Sequence, residues 1–160
     1  MKIRAILESD RDWAAALITQ HFGTPEIISR GVRHDTRSLP GLVAERGGER
    51  LGLLHYCVDG KRCEVVALVA IRQRQGLGRW LLSELASVAH GAGCSCLWLV
   101  TTNDNRSAQQ FYNVLGWRQV AVHEGAVALS RRLKPEIPER AEDGTPIVDE
   151  IEYELQLDAA

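Results

Sequence analysis

The chain lacks any excess of positive charge: nineteen Lys and Arg stand against twenty-one Asp and Glu, a formal net charge of −2. A dedicated nucleic-acid binder carries a strong basic excess, so no nucleic-acid partner is expected. No apolar run approaches the roughly 18–20 residues of a membrane span, and Met1–Ile6 leads into a charged stretch rather than a signal-peptide core. A soluble, cytoplasmic chain with no membrane partner is expected. Gly-Lys-Ser and Gly-Lys-Thr are absent, which excludes a P-loop. Cys94-x-Cys96 lacks the two-residue spacer of zinc knuckles, and no His or second Cys pair completes a ligand set. No metal is expected. There is neither an internal repeat nor a low-complexity tract.

What is present is an ordinary globular balance, 45% hydrophobic and 25% charged over 160 residues, the size of one domain of about 100–200 residues. Lys2–Leu7 alternates as a short strand, and Ser9-Asp10 caps a helix carrying Trp13, Ala14, Leu17 and Ile18 up to His21. Glu26–Arg30 is short and ambiguous, with one further helical turn as its reading. Leu42–Ala44, Leu51–Val58 and Cys63–Ile71, joined at Gly47-Gly48 and Asp59-Gly60, form an antiparallel meander. Val65–Ile71 is apolar throughout, as expected of a central strand covered on both faces. A helix with Leu77, Leu81, Leu85 and Val88 on one face then leads to the buried strand Cys96–Val100. A right-handed crossover makes that strand parallel to the previous one. Asn105 caps a helix with Ala108, Phe111, Tyr112 and Leu115 inward, Gly116 ends it, and Trp117–Val122 returns as a strand. Gly125–Arg132 reads as a short helix. Pro135, Pro138 and Pro146 mark a long connection, and Ile147–Leu157 alternates as a half-buried strand.

The segment that carries chemistry is Gln73-Arg74-Gln75-Gly76-Leu77-Gly78-Arg79, between a buried strand and a strong helix. The first amides of a helix lack internal partners and sit at the positive end of its dipole. Glycines at 76 and 78 let a phosphate approach that backbone, and Arg74 and Arg79 add charge, so a pyrophosphate is the natural guest. A strand-to-helix turn that binds nothing is the alternative on this motif alone. A Rossmann site is excluded, because Gly76-x-Gly78 is followed by Leu81 where a third glycine is required.

Gln73-x-x-Gly76-x-Gly78 after a buried strand resembles the acyl-CoA loop of the GNAT N-acetyltransferase superfamily. Asn105-x-x-Ala108-x-x-Phe111-Tyr112-x-x-x-Gly116-Trp117 is similar to that family's second block, with Trp in place of a final Phe. The order and separation of the two blocks match, and the resemblance covers nearly the whole chain. The tail from Leu133-Lys134-Pro135 to Asp149-Glu150-Ile151 also looks like a bacterial subgroup of the family. The resemblance implies an α+β fold: a mixed, mostly antiparallel sheet of about seven strands, a splayed parallel pair and helices on both faces. It divides residues 1–160 into an N-terminal part (1–62), an acetyl-CoA-binding core (63–122) and a C-terminal helix, connection and strand (123–160).

In this family acetyl-CoA lies between the two splayed strands, here Cys63–Ile71 and Cys96–Thr101. The resemblance places pantetheine along the backbone of Val66, Ala67, Leu68 and Val69, and the pyrophosphate on Arg74, Gln75, Gly76, Leu77, Gly78 and Arg79. Gln73 and Arg79 then stand at the rim, with Asn105 and Ala108 on the opposite wall. Tyr112 becomes the general acid that protonates the leaving thiolate, since a phenol with a free pKa of about 10 is protonated at neutral pH. Its other reading is a core aromatic beside Phe111. Glu64 is the candidate general base for an amine that arrives protonated; its other reading is an ordinary strand-end carboxylate. His55 and Tyr56 are weaker candidates.

The implied activity is acetyl-CoA-dependent N-acetylation of a small-molecule or peptide amine by direct attack in a ternary complex. A non-catalytic acyl-CoA-binding or regulatory module on the same fold is the alternative. Arg30, Arg33, His34 and Arg37 lie where the family covers its acceptor pocket, and a solvated loop is their simpler reading. Cys57 and Cys63 flank the Asp59-Gly60 turn as buried thiols or, less simply, a disulfide. Trp80 and Trp98 read as packing residues, and Trp13 as core or lid. An exposed final strand offers a route to a homodimer.

Overall fold

A computed structural model describes residues 1–72 and 75–157. The chain runs β1 (Lys2–Ala5), α1 (Arg11–Phe22), β2 (Glu26–Ser29), β3 (Val32–Asp35), β4 (Gly41–Arg46), β5 (Glu49–Asp59), β6 (Arg62–Ala70) and α2 (Leu77–Gly91). It continues through β7 (Cys96–Thr102), α3 (Arg106–Val114), β8 (Arg118–His123), α4 (Ala126–Leu133) and β9 (Glu150–Gln156). Seven strands form one sheet in the order β1-β4-β5-β6-β7-β9-β8, and every neighbouring pair is antiparallel except β6 and β7. This is the mixed α+β architecture that the two motif blocks imply.

Helices cover both faces. Ala14, Leu17 and Ile18 of α1 pack with Val43, Leu53, Ala67 and Val69. Leu77, Leu81, Leu82 and Leu85 of α2 pack on the other face with Leu54, Val65, Leu97 and Tyr153. The apolar run of β6 therefore faces two hydrophobic layers, as a central strand must. Among the described residues no helix is long and apolar enough to cross a membrane.

A β-bulge changes which layer each β6 residue meets. Tyr56 pairs with Val65 and His55 with Ala67, so Val66 is an extra residue without a partner. Before it, Cys63 and Val65 join the α2 layer; after it, Ala67 and Val69 join the α1 layer. An inserted residue reverses the side-chain alternation and bends its strand. The parallel ladder with β7 covers only Arg62–Cys96, Cys63–Leu97 and Glu64–Trp98. Beyond Glu64 the two strands part, and among the described residues no strand occupies the β7-facing edge of β6.

Four expectations are corrected. Glu26–Arg30 does not add a helical turn: Glu26–Ser29 pairs antiparallel with Val32–Asp35 as a hairpin. The basic stretch is accordingly no solvated loop, because His34 is buried on β3 while Arg30, Arg33 and Arg37 stay exposed. The final strand is not an exposed edge, since β9 lies between β7 and β8, and that route to a homodimer is closed. Trp80 is half exposed rather than packed. Cys57 is paired with Glu64 and Cys63 with Val58, so the two thiols point to opposite faces of the sheet and cannot bridge. All four cysteines are free. Trp98 and Trp13 each lie under a guanidinium, Arg62 at 4.6 Å and Arg50 at 5.3 Å.

One buried carboxylate ties the first strand to the sheet. Asp10 accepts from Arg4 Nη1 at 2.7 Å, Arg50 Nε at 2.8 Å and the Leu7 amide at 2.7 Å. The Arg4 guanidinium holds this carboxyl well below the usual carboxylate range. Its folded-state pKa is depressed, so its stabilisation is present above about pH 4 and is lost as pH falls further, toward the folded value. Asp10→Asn is expected to cost about 3 kcal/mol at pH 7. Urea denaturation should show the gap to the parent chain shrinking as pH is lowered toward about 3.

Candidate active site

The parting of β6 and β7 opens a cavity of about 480 Å³. Its floor is Glu64, Val65 and Val66 on one side and Val100, Thr101 and Thr102 on the other. The end of α1, the β2 strand and the segment after α4 wall the rest.

Glu64 enters this cavity as a buried carboxylate, 6% exposed. Ser29 Oγ donates to its Oε2 at 2.5 Å. His34 Nε2 lies 3.4 Å from its Oε1 and is a buried nitrogen with no hydrogen-bond partner. The β2–β3 hairpin thus delivers two side chains onto Glu64, and no Lys or Arg among the described residues forms an ion pair with it. A buried carboxylate without a cation is costly unless a ligand supplies one. Glu150, also in the cavity, differs: Arg30 Nη1 reaches it at 3.2 Å and Ser130 Oγ donates at 2.9 Å.

Outside the cavity lining, α2 begins on Gly76, whose φ of +73° only glycine adopts without strain. No side chain among the described residues caps this helix, and its first amides suit an anion. A Cβ on Gly78 would lie 3.3 Å from Phe111 Cζ and 3.7 Å from Leu68 Cδ2, so its absence lets α2 start close against α3 and β6. Gln75, Leu77 and Arg79 flank these glycines; Leu77 is buried in the core, while Gln75 and Arg79 are exposed. Gln73 and Arg74 lie outside the described residues. Arg72 is turned away to Glu49 at 2.9 Å.

Asn105 lines the cavity and caps α3, its Oδ1 accepting from the Ala108 amide at 3.3 Å. Val66 is the bulged residue on the opposite wall. The side chains of Ala67 and Val69 pack toward α1, and Leu68 packs toward α2. Tyr112 is not among the residues that line the cavity. Its ring lies 5.3 Å from Phe111, 5.4 Å from Trp117 and 5.8 Å from Tyr153, and burial pushes its phenol up to about 12.

Of the weaker candidates, His55 is buried behind β4, with Nδ1 3.3 Å from the Pro40 carbonyl. Burial lowers its pKa to about 4, so the ring is neutral at pH 7. Tyr56 pairs with Val65 and its phenol is pushed up by burial. Neither lines the cavity. Sequence reasoning missed Ser29, Lys134 and Glu150. Only their chemistry, polar side chains beside apolar ones, hinted at a site, and what brings them together is tertiary. Among the described residues no cluster of His, Cys, Asp or Glu is arranged to hold a metal ion.

Comparison with known proteins decides the family. Residues 7–117 match the Acetyltransferase (GNAT) family. The chain belongs to that family. It is 43% identical over 142 residues to the uncharacterized protein YdhI of Bacillus subtilis (strain 168), covering 87% of this chain and 88% of that one. Two solved structures share the GNAT fold. The ribosomal-protein-S18-alanine N-acetyltransferase of Escherichia coli superposes with a TM-score of 0.70 at 19% identity, covering 99% of this chain and 95% of that one. A GNAT family acetyltransferase from Elizabethkingia anophelis with acetyl-CoA bound superposes at 0.67 and 20% identity, covering 98% and 97%.

Proposed function

We propose that this chain is an acetyl-CoA-dependent N-acetyltransferase acting on a primary amine by direct attack. The observation that carries the proposal is the end of the β6–β7 ladder at Glu64, which opens a cavity beside a buried carboxylate that no Lys or Arg among the described residues pairs with. The backbone of Val66, Ala67, Leu68 and Val69 offers hydrogen-bonding groups on an edge that no strand among the described residues occupies. A pantetheine arm is extended and amide-bearing, and it suits that edge. The amides at Gly76, Leu77, Gly78 and Arg79 suit the pyrophosphate, and Asn105 and Ala108 face the cofactor from α3. Gln73, Arg74 and Gln75 complete the loop in sequence.

In the reaction the amine nitrogen forms a bond to the acetyl carbonyl carbon while the carbon–sulfur bond breaks, and the electron pair leaves on sulfur. Glu64, held by Ser29, takes the proton the amine must lose. Tyr112 donates its phenolic proton to the departing thiolate; burial keeps that proton in place at neutral pH while making the phenol a weaker acid than free tyrosine. Neither motif block contains a Cys; the transfer needs no acyl-enzyme. The protein works in the cytoplasm in this reading.

Isothermal calorimetry with acetyl-CoA tests the cofactor half of the proposal. One site per chain is expected, and no heat from a chain shown to be folded would overturn it. Gly76→Ala forces a residue with a Cβ toward a φ that costs about 1–2 kcal/mol. As the turn relaxes, the α2 amides shift, and acetyl-CoA affinity in the same titration is expected to weaken about tenfold.

A further inference from the structure

Resting on the acetyltransferase reading, we infer that the acceptor is a free α-amino acid with an apolar side chain, its ammonium on Glu64 and its carboxylate on Lys134. Two buried charges of opposite sign face the same cavity, each short of a counter-ion. Glu64 has one hydroxyl donor and an imidazole at 3.4 Å, but no Lys or Arg partner among the described residues. Lys134 is 6% exposed, and its ammonium, with three N–H groups, donates to the Glu26 carbonyl at 2.6 Å. No other hydrogen bond of this ammonium occurs among the described residues. The Glu26 carboxylate is engaged by Arg33 at 2.8 Å, and Glu136 is exposed at the rim.

The two charges are spaced by one strand. Glu64 is anchored at Ser29 and Lys134 at the Glu26 carbonyl, three residues apart on β2, or about 10 Å at the usual rise. Both charged groups are thus anchored to one short strand and line one cavity. A free α-amino acid carries one group of each sign for such a pair of partners. Between the two ends the walls are apolar, from Phe22, Ile27, Ile137, Pro138 and Ile147.

The roof over this part is pinned. Arg33 donates to the Leu133 carbonyl at 2.8 Å, and Arg131 Nη2 donates to Pro138 at 2.8 Å and to Ile147 at 3.2 Å. Those ties hold the hairpin to the α4 end and fit a small acceptor better than a lysine presented on a protein surface.

The test measures acetyl-CoA-dependent thiol release with L-phenylalanine, L-phenylalaninamide and phenethylamine, beside calorimetry with acetyl-CoA. The free acid is expected to exceed both carboxylate-free amines in kcat/KM by about tenfold or more. Lys134→Met should lower the acid-to-amide ratio about fivefold or more. Equal turnover of acid and amide by the parent chain overturns the assignment without any variant. An unchanged ratio in a folded Lys134→Met chain does so too. No turnover of any of the three, with acetyl-CoA still bound, overturns this acceptor and leaves the cofactor reading standing. Absence of acetyl-CoA binding overturns the acetyltransferase reading itself.

Discussion

Tyr112→Phe is expected to lower kcat by about a hundredfold while acetyl-CoA binds within about twofold of the parent affinity. The hydroxyl is the only atom group removed. The ring contacts with Phe111, Trp117 and Tyr153, at 5.3, 5.4 and 5.8 Å, do not depend on it. Burial holds the phenol at about 12, so the proton to be donated is present throughout the neutral range. Thiol release measured against calorimetric affinity separates the two effects. A parallel loss of both would mean that the ring position, and not the proton, matters.

Glu64→Gln is expected to have an effect of similar size with a different signature. Glutamine keeps the shape, and its carbonyl oxygen still accepts from Ser29, so the hairpin–β6 contact survives. What disappears is the group that takes the amine's proton. An alkyl amine has a pKa near 10, so only a small neutral fraction remains reactive at pH 7. The variant's rate should be about a hundredfold lower at pH 7 and should climb steadily as pH rises toward that value. A Glu64→Gln profile that overlays the parent profile would assign the proton to another acceptor.

Much of this site was legible in the residues. Gly76 and Asn105 announce helix starts by backbone and capping chemistry that operates within a few residues, and both start helices where expected. The crossover from β6 through α2 to β7 follows from chain handedness. The parts that were not legible depend on distant partners. Glu26–Ser29 is only four residues long, and it is held as a strand by Val32–Asp35, by Lys134 on its Glu26 carbonyl and by Thr36 on Pro25. No local propensity encodes those ties, and with them went Ser29 and the burial of His34. The Val66 bulge carries no glycine or proline to mark it, and it surfaces only as a slip in pairing with His55 and Tyr56. β9 alternates plainly, but alternation says nothing of which neighbours a strand will choose, and it takes the place between β7 and β8.

The central claim is that the opening between β6 and β7 supports acetyl transfer to an amine and not cofactor binding alone. The direct measurement is thiol release from acetyl-CoA, with and without a mixture of primary amines: free amino acids, phenethylamine, spermidine and a lysine-containing peptide. The account predicts release that depends on the amines and falls to background in Glu64→Gln at pH 7. Acetyl-CoA bound with no amine-dependent release would contradict it and leave a non-catalytic acyl-CoA-binding module.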